Sequence, residues 1–284
     1  MNNIKLDEFS YFPGCSLASA EKHAGESIKK FCKNFDINLV ELEDWNCCGS
    51  SSVHSIDTEM GFKLLSRNFS LCKPDSLLFV PCPSCFLKLR KAYYHLERDE
   101  KLQKEYREKW GKNYPKNLYI PHVFELLEIM GQLDLLKSKT KRLNGLKCVS
   151  YYGCMLAASR ELRYGKGFYG IMEHIISSLG GVNLNWAHPS SCCGSYLTAM
   201  RPDIVQNKVE NIMQGAIDAG AECIVTACVM CQLNLEARCE LETRLPVFYL
   251  SDILSFTFEE KMSESHLSRF FINPKELLKK RKIL

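Results

Sequence analysis

One arrangement of cysteines occurs twice in this chain, and it constrains the fold more than any other feature. Cys15 is followed after 31 residues by Cys47 and Cys48, and after a further 33 by Cys82 and Cys85. Cys154 is followed after 37 residues by Cys192 and Cys193, and after a further 34 by Cys228 and Cys231. The surrounding residues repeat as well: "YFPGCSLASA" (11–20) answers to "YYGCMLAASR" (151–160), and "NCCGSSS" (46–52) to "SCCGSYL" (191–197). A third echo pairs "LLFVPCPSCFLKLRKA" (77–92) with "CIVTACVMCQLNLEAR" (223–238), and a fainter one pairs "IPHVFELL" (120–127) with "LPVFYLSDIL" (245–254). Landmarks in one order at nearly one offset imply two homologous domains. We expect them at 7–143 and 144–262, followed by a basic helical tail at 263–284.

Within each half, short apolar runs such as "LLFV" (77–80) and "ECIVTA" (222–227) have the character of buried strands and lead directly into a Cys-x-x-Cys. Helical patterns lie between the paired cysteines and those strands, for example "TEMGFKLLSRNFSLC" (58–72) and "RPDIVQNKVENIMQGAIDAG" (201–220). Strands alternating with helices predict an α/β fold with mostly parallel sheets. Ligands of such sheets gather at the carboxyl ends of the strands, where each Cys-x-x-Cys would then sit. The charged run "ERDEKLQKEYREKW" (97–110) reads as a solvated helix extending the first domain.

A chain of 284 residues with 46% apolar side chains can bury a core without covalent staples, so the fifteen cysteines are not explained by a small domain's need for disulfides. The start, "MNNIKLDEFSYFPG", has acidic residues where a secretion signal needs a basic head and an apolar run. The expected compartment is the cytoplasm, where clustered thiols read as metal ligands or redox groups. A formal charge of +4 without an arginine-rich aromatic patch argues against nucleic acid as a partner. Tetrahedral zinc and a cubane iron-sulfur cluster each take four ligands, whereas each set offers five. The side-by-side pair is the surplus: the pattern favours a cluster that departs from the cubane, or a four-ligand cluster with one cysteine held back for chemistry.

Cys, Cys-Cys-Gly and Cys-x-x-Cys, present twice at these spacings, resemble the cysteine-rich CCG signature of the heterodisulfide reductase B-subunit family. The resemblance implies two Rossmann-like α/β domains related by a pseudo-two-fold axis. It also implies two four-iron, non-cubane clusters, each held by five cysteines: Cys15, Cys47, Cys48, Cys82 and Cys85 for one, and Cys154, Cys192, Cys193, Cys228 and Cys231 for the other. "YFPGCSL" and "ELEDWNCCGSSS" resemble the B subunits of the heterodisulfide reductase-like complexes of sulfur oxidisers, and of related quinone-linked assemblies, more than those of the methanogen enzyme. The expected role is the catalytic iron-sulfur subunit of such a complex, reducing a disulfide or oxidising paired thiols between two clusters. The expected partners are a ferredoxin-like C subunit and a flavin-containing A subunit. Electron relay in a quinone-linked dehydrogenase is the first alternative, and a zinc-thiolate scaffold the second.

Other residues are read more plainly. His54 and His188 lie near the paired cysteines and are candidates for protonating a leaving thiolate or bonding a cluster sulfur, against a structural role for each. Gly49 and Gly194 allow a tight turn beside a bulky group. "VPCPSC" alone would pass for a thioredoxin-type dithiol, a reading outweighed by the duplicated set. Cys32, Cys72, Cys148, Cys223 and Cys239 fall outside the motifs and read as small buried apolar residues, and Tyr11, Tyr151 and Tyr152 as core. The chain carries no dinucleotide fingerprint or phosphate loop, so its electrons must pass to or from a partner. The tail "NPKELLKKRKIL" (273–284) has a helix start and a basic end that either complements the helix dipole or meets an anionic membrane surface or partner.

Overall fold

Each half of the chain spends its apolar runs on very short strands, and cysteines follow those strands directly. The computed structural model describes residues 9–19, 21–50, 53–129, 143–157, 167–258 and 267–284. In the first half, β1 (Phe9–Tyr11) is followed by α1 (Gly14–Ala18) and α2 (Lys22–Lys33), and β2 (Leu39–Glu41) by α3 (Val53–Ile56) and α4 (Thr58–Ser70). Next come β3 (Leu78–Phe79), α5 (Pro83–Arg98), α6 (Glu100–Trp110) and α7 (Val123–Ile129). The sheet is parallel in the order β2-β1-β3, with Tyr11 opposite Glu41 on one side and Phe79 on the other. Tyr119 and Pro121 extend it beyond β3, their carbonyls accepting from Leu78 N (2.8 Å) and Val80 N (3.0 Å).

The second half repeats this order. β4 (Lys147–Tyr151) leads to α8 (Gly153–Leu156) and α9 (Ile171–Ser178); β5 (Val182–Asn183) leads to a 3-10 turn (Ser195–Leu197) and α10 (Pro202–Asp218). β6 (Cys223–Thr226) leads to α11 (Val229–Ala237), and β7 (Val247–Tyr249) to α12 (Leu250–Phe258) and α13 (Lys275–Lys280). The sheet is parallel in the order β5-β4-β6-β7. The stretch Tyr119–Pro121 thus does for the first sheet what β7 does for the second, which is the physical content of the faint fourth echo. Even the following helix starts alike: Glu125 accepts from His122 N (3.1 Å) and pairs with buried Arg90 (2.8 Å), and Asp252 accepts from Tyr249 N (2.9 Å) and pairs with Arg269.

The chain divides into two units, one comprising Met1–Gly25, Cys32–Leu126 and Ser159–Lys166, the other Glu26–Phe31, Leu127–Ala158 and Gly167–Leu284. The middle of α2 therefore belongs with the second unit, where Ser27 Oγ meets Ser255 Oγ at 2.6 Å. In that unit Val205, Val209, Ile212, Met213 and Ala216 line one face of α10, at helical spacing, and pack with Val149, Ile224 and Val247 of the sheet. Burying each such branched side chain stabilises the fold by about 1.5–3 kcal/mol. Cys193, Cys228 and Cys231 lie within this same apolar cluster. The core thus walls off part of the thiol set from water.

The charged helix α6 is held at its start by Asp99, which accepts from Lys101 N and Leu102 N, and ends at Gly111 in the left-handed region. Tyr106 is its buried anchor. The end of the chain docks on the second unit: Leu278 is buried, Arg281 donates from Nε to Glu222 Oε2 (2.8 Å), and Asn144 Nδ2 donates to the Arg281 carbonyl (2.8 Å).

Candidate metal centres

Three neighbouring parallel strands deliver each set of cysteines. In the first unit β1 runs through Gly14 into Cys15, β2 leads to the loop carrying Cys47 and Cys48, and β3 leads to Cys82, the N-cap of α5, with Cys85 one turn further on. Pro83 suits this start, since its missing N–H is one the first helical turn could not pair. In the second unit β4, β5 and β6 deliver Cys154, the Cys192–Cys193 pair, and Cys228 with Cys231, and Cys228 caps α11 in the same way. All ten thiols thus follow the carboxyl ends of strands, the expected ligand edge of a parallel sheet.

The sulfurs are close. In the first unit Cys15 and Cys47 Sγ are 3.6 Å apart and Cys48 and Cys85 Sγ 3.1 Å apart; Cys47 also meets Cys48, and Cys85 meets Cys82, so the five form one chain of contacts. In the second unit Cys193 and Cys231 Sγ are 3.6 Å apart, Cys231 meets Cys228, and Cys154 meets Cys192. Cys15, Cys47 and Cys154 are exposed and Cys192 is half-buried, while the other six are buried. Each set is therefore a pocket with a buried floor and an open rim. All fifteen cysteines are free thiols.

Thiols this close share protons unevenly, because a donating S–H stabilises the neighbouring thiolate. Contacts from Cys47 and then Cys85 bring Cys48 down to about 5, and Cys85 also lowers Cys82. Cys85, facing both, is pushed well up. In the second unit contact with Cys154 brings Cys192 down to about 6 and contact with Cys231 brings Cys193 to about 7, while Cys154 and Cys231 rise. The Gly194 N–H helps to lower Cys192, whose Sγ it meets at 3.4 Å; Gly49 N points at Cys47 Sγ at the same distance. Five soft donors in a partly dry pocket suit a metal centre that selects thiolate. Among the described residues no group of three or more His, Cys, Asp or Glu side chains converges as a site for one metal ion.

Glycines make room for the sulfurs. A Cβ on Gly14 would lie 2.8 Å from Cys85 Sγ, and one on Gly153 3.3 Å from Cys231 Sγ; both residues have positive φ, +72° and +64°. The paired cysteines are held differently in the two units. In the first, Asn46 and Asn68 exchange two hydrogen bonds, Asn46 N to Asn68 Oδ1 (3.0 Å) and Asn68 Nδ2 to the Asn46 carbonyl (3.1 Å), and Arg67 Nη1 donates to Asn46 Oδ1 (3.1 Å). In the second, Tyr151 donates its hydroxyl to the Ser191 carbonyl (2.6 Å) and Asn234 Nδ2 donates to the Cys193 carbonyl (2.8 Å). None of these holding residues stands out in the sequence as polar groups of a site.

His54 Nε2 lies 3.1 Å from the Cys48 carbonyl and His188 Nδ1 3.1 Å from Ser191 Oγ. Burial holds His54 below the ordinary imidazole value, against the carbonyl bond and with the help of Lys88 and Lys91. Of the cysteines outside the motifs, Cys32, Cys148, Cys223 and Cys239 are buried and Cys72 is half-buried; Tyr11, Tyr151 and Tyr152 are buried.

Comparison with known proteins follows the same division: residues 9–90 and 148–236 each match the cysteine-rich CCG domain. The chain belongs to the CCG cysteine-rich domain family. This CCG protein is 28% identical over 283 residues to the 8-methylmenaquinol:fumarate reductase membrane anchor subunit of Wolinella succinogenes, a match covering 95% of this chain and 99% of that one. It is 22% identical over 295 residues to the B subunit of the ferredoxin/F420H2-dependent CoB-CoM heterodisulfide reductase of Methanosarcina acetivorans, covering 97% of each chain. The relatives are thus components of oxidoreductases, and the resemblance to the heterodisulfide reductase B-subunit family is borne out. In fold the CCG protein is similar to a hypothetical protein from Helicobacter pylori of known crystal structure (TM-score 0.73, 12% identity), with 95% of this chain covered and 53% of the other, so it spans about half of that longer chain. Among the described residues no helix is long and apolar enough to cross a membrane.

Proposed function

We propose that this chain is the iron-sulfur electron-transfer subunit of a multi-subunit oxidoreductase, with one four-iron, non-cubane cluster in each five-thiol pocket, and that it exchanges electrons with a quinol couple through its complex. The single observation that carries the reading is the pair of pockets: five free thiols in each, three of them buried, with backbone N–H groups aimed at a rim sulfur. Thiolates are the ligands iron-sulfur clusters take, and N–H donors to sulfur together with burial are the protein's means of setting their potential. The residues present fit such a group. Cys15, Cys47, Cys48, Cys82 and Cys85 would hold one cluster and the second five the other, each supplying one-electron steps when bound. The quinol assignment rests on the greater similarity to the menaquinol-linked relative. A ferredoxin-like and a flavin-containing subunit are the proposed partners and the cytoplasmic side the proposed location.

A second reading, reduction of a disulfide, is favoured by the exposed rim. Cys15, Cys47 and Cys154 leave an edge of each pocket open to a substrate sulfur. Two one-electron centres match that chemistry, since cleaving RSSR to two RSH takes two electrons and two protons.

Iron and acid-labile sulfide in anaerobically purified protein should each approach about eight per chain, two four-iron clusters' worth. Stoichiometric zinc without sulfide overturns the proposal. An electron paramagnetic resonance signal that responds to a reduced quinone analogue and not to thiol or disulfide supports the first reading; the reverse response establishes the second.

A further inference from the structure

Two helices of the site carry a glycine that their backbone does not need. Gly61 in α4 and Gly215 in α10 interrupt helices, where glycine is unfavourable, and neither has a left-handed φ that would call for it. The reason is space. A Cβ on Gly61 would fall 2.4 Å from His54 Nδ1 and 2.8 Å from its Cε1; one on Gly215 would fall 2.4 Å from His188 Cδ2 and 3.0 Å from its Nε2. Each imidazole is seated against a helix at the one place where no side chain intervenes.

From that seat each histidine reaches the turn bearing a cysteine pair. A carbonyl only accepts, so the His54 Nε2 contact to the Cys48 carbonyl at 3.1 Å requires the proton on Nε2 and commits it there. His188 Nδ1 bonds Ser191 Oγ at 3.1 Å, and the carbonyl of the same serine is held by Tyr151, so the residue before Cys192 is gripped twice. Trp186 packs edge-on against both Tyr151 and His188. His54 comes six residues after its pair and His188 four before. The halves thus reach one arrangement from opposite sides in sequence, so copying of the repeat does not account for it.

We infer that His54 and His188 are positioning residues of the two thiol sets, each wedged on a helix glycine and fixing the turn that carries the paired cysteines. One nitrogen of each ring is committed to the turn, Nε2 of His54 and Nδ1 of His188. Gly61 and Gly215 are part of the device.

Isosteres test the inference, because the amide nitrogen of glutamine can stand in for Nε2 and that of asparagine for Nδ1. His54→Gln should then behave as the parent and His54→Asn should not, and the order should reverse at the second site, where His188→Asn is silent and His188→Gln is not. The readout is alkylation of the full-length chain by iodoacetamide, resolved by peptide mass spectrometry, with the midpoint potential of each iron-sulfur signal as the second measurement. Loss of one hydrogen bond should expose the pair in that unit to about fivefold faster alkylation, leaving the other pair unchanged. Gly61→Ala and Gly215→Ala, which favour the helix while evicting the imidazole, should reproduce the loss. Equal behaviour of the two isosteres at either histidine, or no change with the alanine variants, overturns the inference. Alkylation is compared between parent and variant at equal metal content, so absence of iron would count against the proposed function and not against this one.

Discussion

A methyl group at position 14 has nowhere to go. It would sit 2.8 Å from Cys85 Sγ, the end of a short buried side chain, on a backbone at φ +72°. The left-handed conformation costs a non-glycine residue about 1–2 kcal/mol, and overpacking a tight site adds about 1–3 kcal/mol. At Gly153 the conformational cost is similar, with φ +64°, but the nearest sulfur, Cys231 Sγ, is 3.3 Å away and needs to give only slightly. Gly14→Ala should therefore destabilise the protein more than Gly153→Ala, and should lower the iron bound at the first set in particular. Denaturant midpoints and iron content of the two variants measure this; equal losses would mean that the backbone, and not the sulfur, makes both positions glycine.

Helix α4 is the element that holds the first cysteine pair. It begins where Asp57 accepts from Met60 N at 2.9 Å, seats His54 on Gly61, and ends with Arg67 and Asn68 bonded to Asn46. The two ends should respond differently to substitution. Asp57→Ala removes an N-cap worth about 1 kcal/mol and should lower stability while leaving thiol reactivity alone. Asn68→Leu keeps the volume but removes both partners of the Asn46 backbone, costing about 1–2 kcal/mol and freeing the turn. Denaturation midpoints and alkylation rates of Cys47 and Cys48 would reveal the contrast, and a site unaffected by Asn68→Leu would show that α4 packs beside the turn without holding it. The helix itself was legible in "TEMGFKLLSRNFSLC", whose apolar residues have helical spacing. Its function was not, because Asn68 is fully buried and an isolated asparagine in a helical pattern reads as solvated surface.

At the scale of the molecule, the alternation of strands and helices and its duplication made the parallel sheets and the cysteine edges readable from sequence, since each Cys-x-x-Cys follows a strand end, whereas the order of the strands was not. The faint echo at 120–127 and 245–254 was readable for the same reason: in both halves an outer strand turns into a helix whose carboxylate binds a backbone N–H at the helix start and an arginine, buried Arg90 in one and half-buried Arg269 in the other. The assignment of Glu26–Phe31 to the second unit was not readable, because an amphipathic helix does not say which apolar surface it covers. Nor was the anchoring of the basic tail, which depends on one acid 59 residues before Arg281. Glu222 accepts from Lys147 N (3.1 Å), Arg281 Nε (2.8 Å) and Lys280 Nζ (3.3 Å). Burial would raise its carboxyl, but the Lys147 N–H, Arg281 and Lys280 together hold it below the usual value. A carboxyl depressed in the folded state contributes stability above its unfolded pKa and loses it as pH falls through the folded one. Glu222→Gln should thus destabilise the protein by about 1–3 kcal/mol at about pH 7, and the gap to the parent should close as the pH falls below the ordinary carboxylate range. Denaturant midpoints across that range test the sign: a gap that widens on acidification would mean that Glu222 is held by its neutral form and that the tail is fastened by Leu278 and the Asn144 bonds alone.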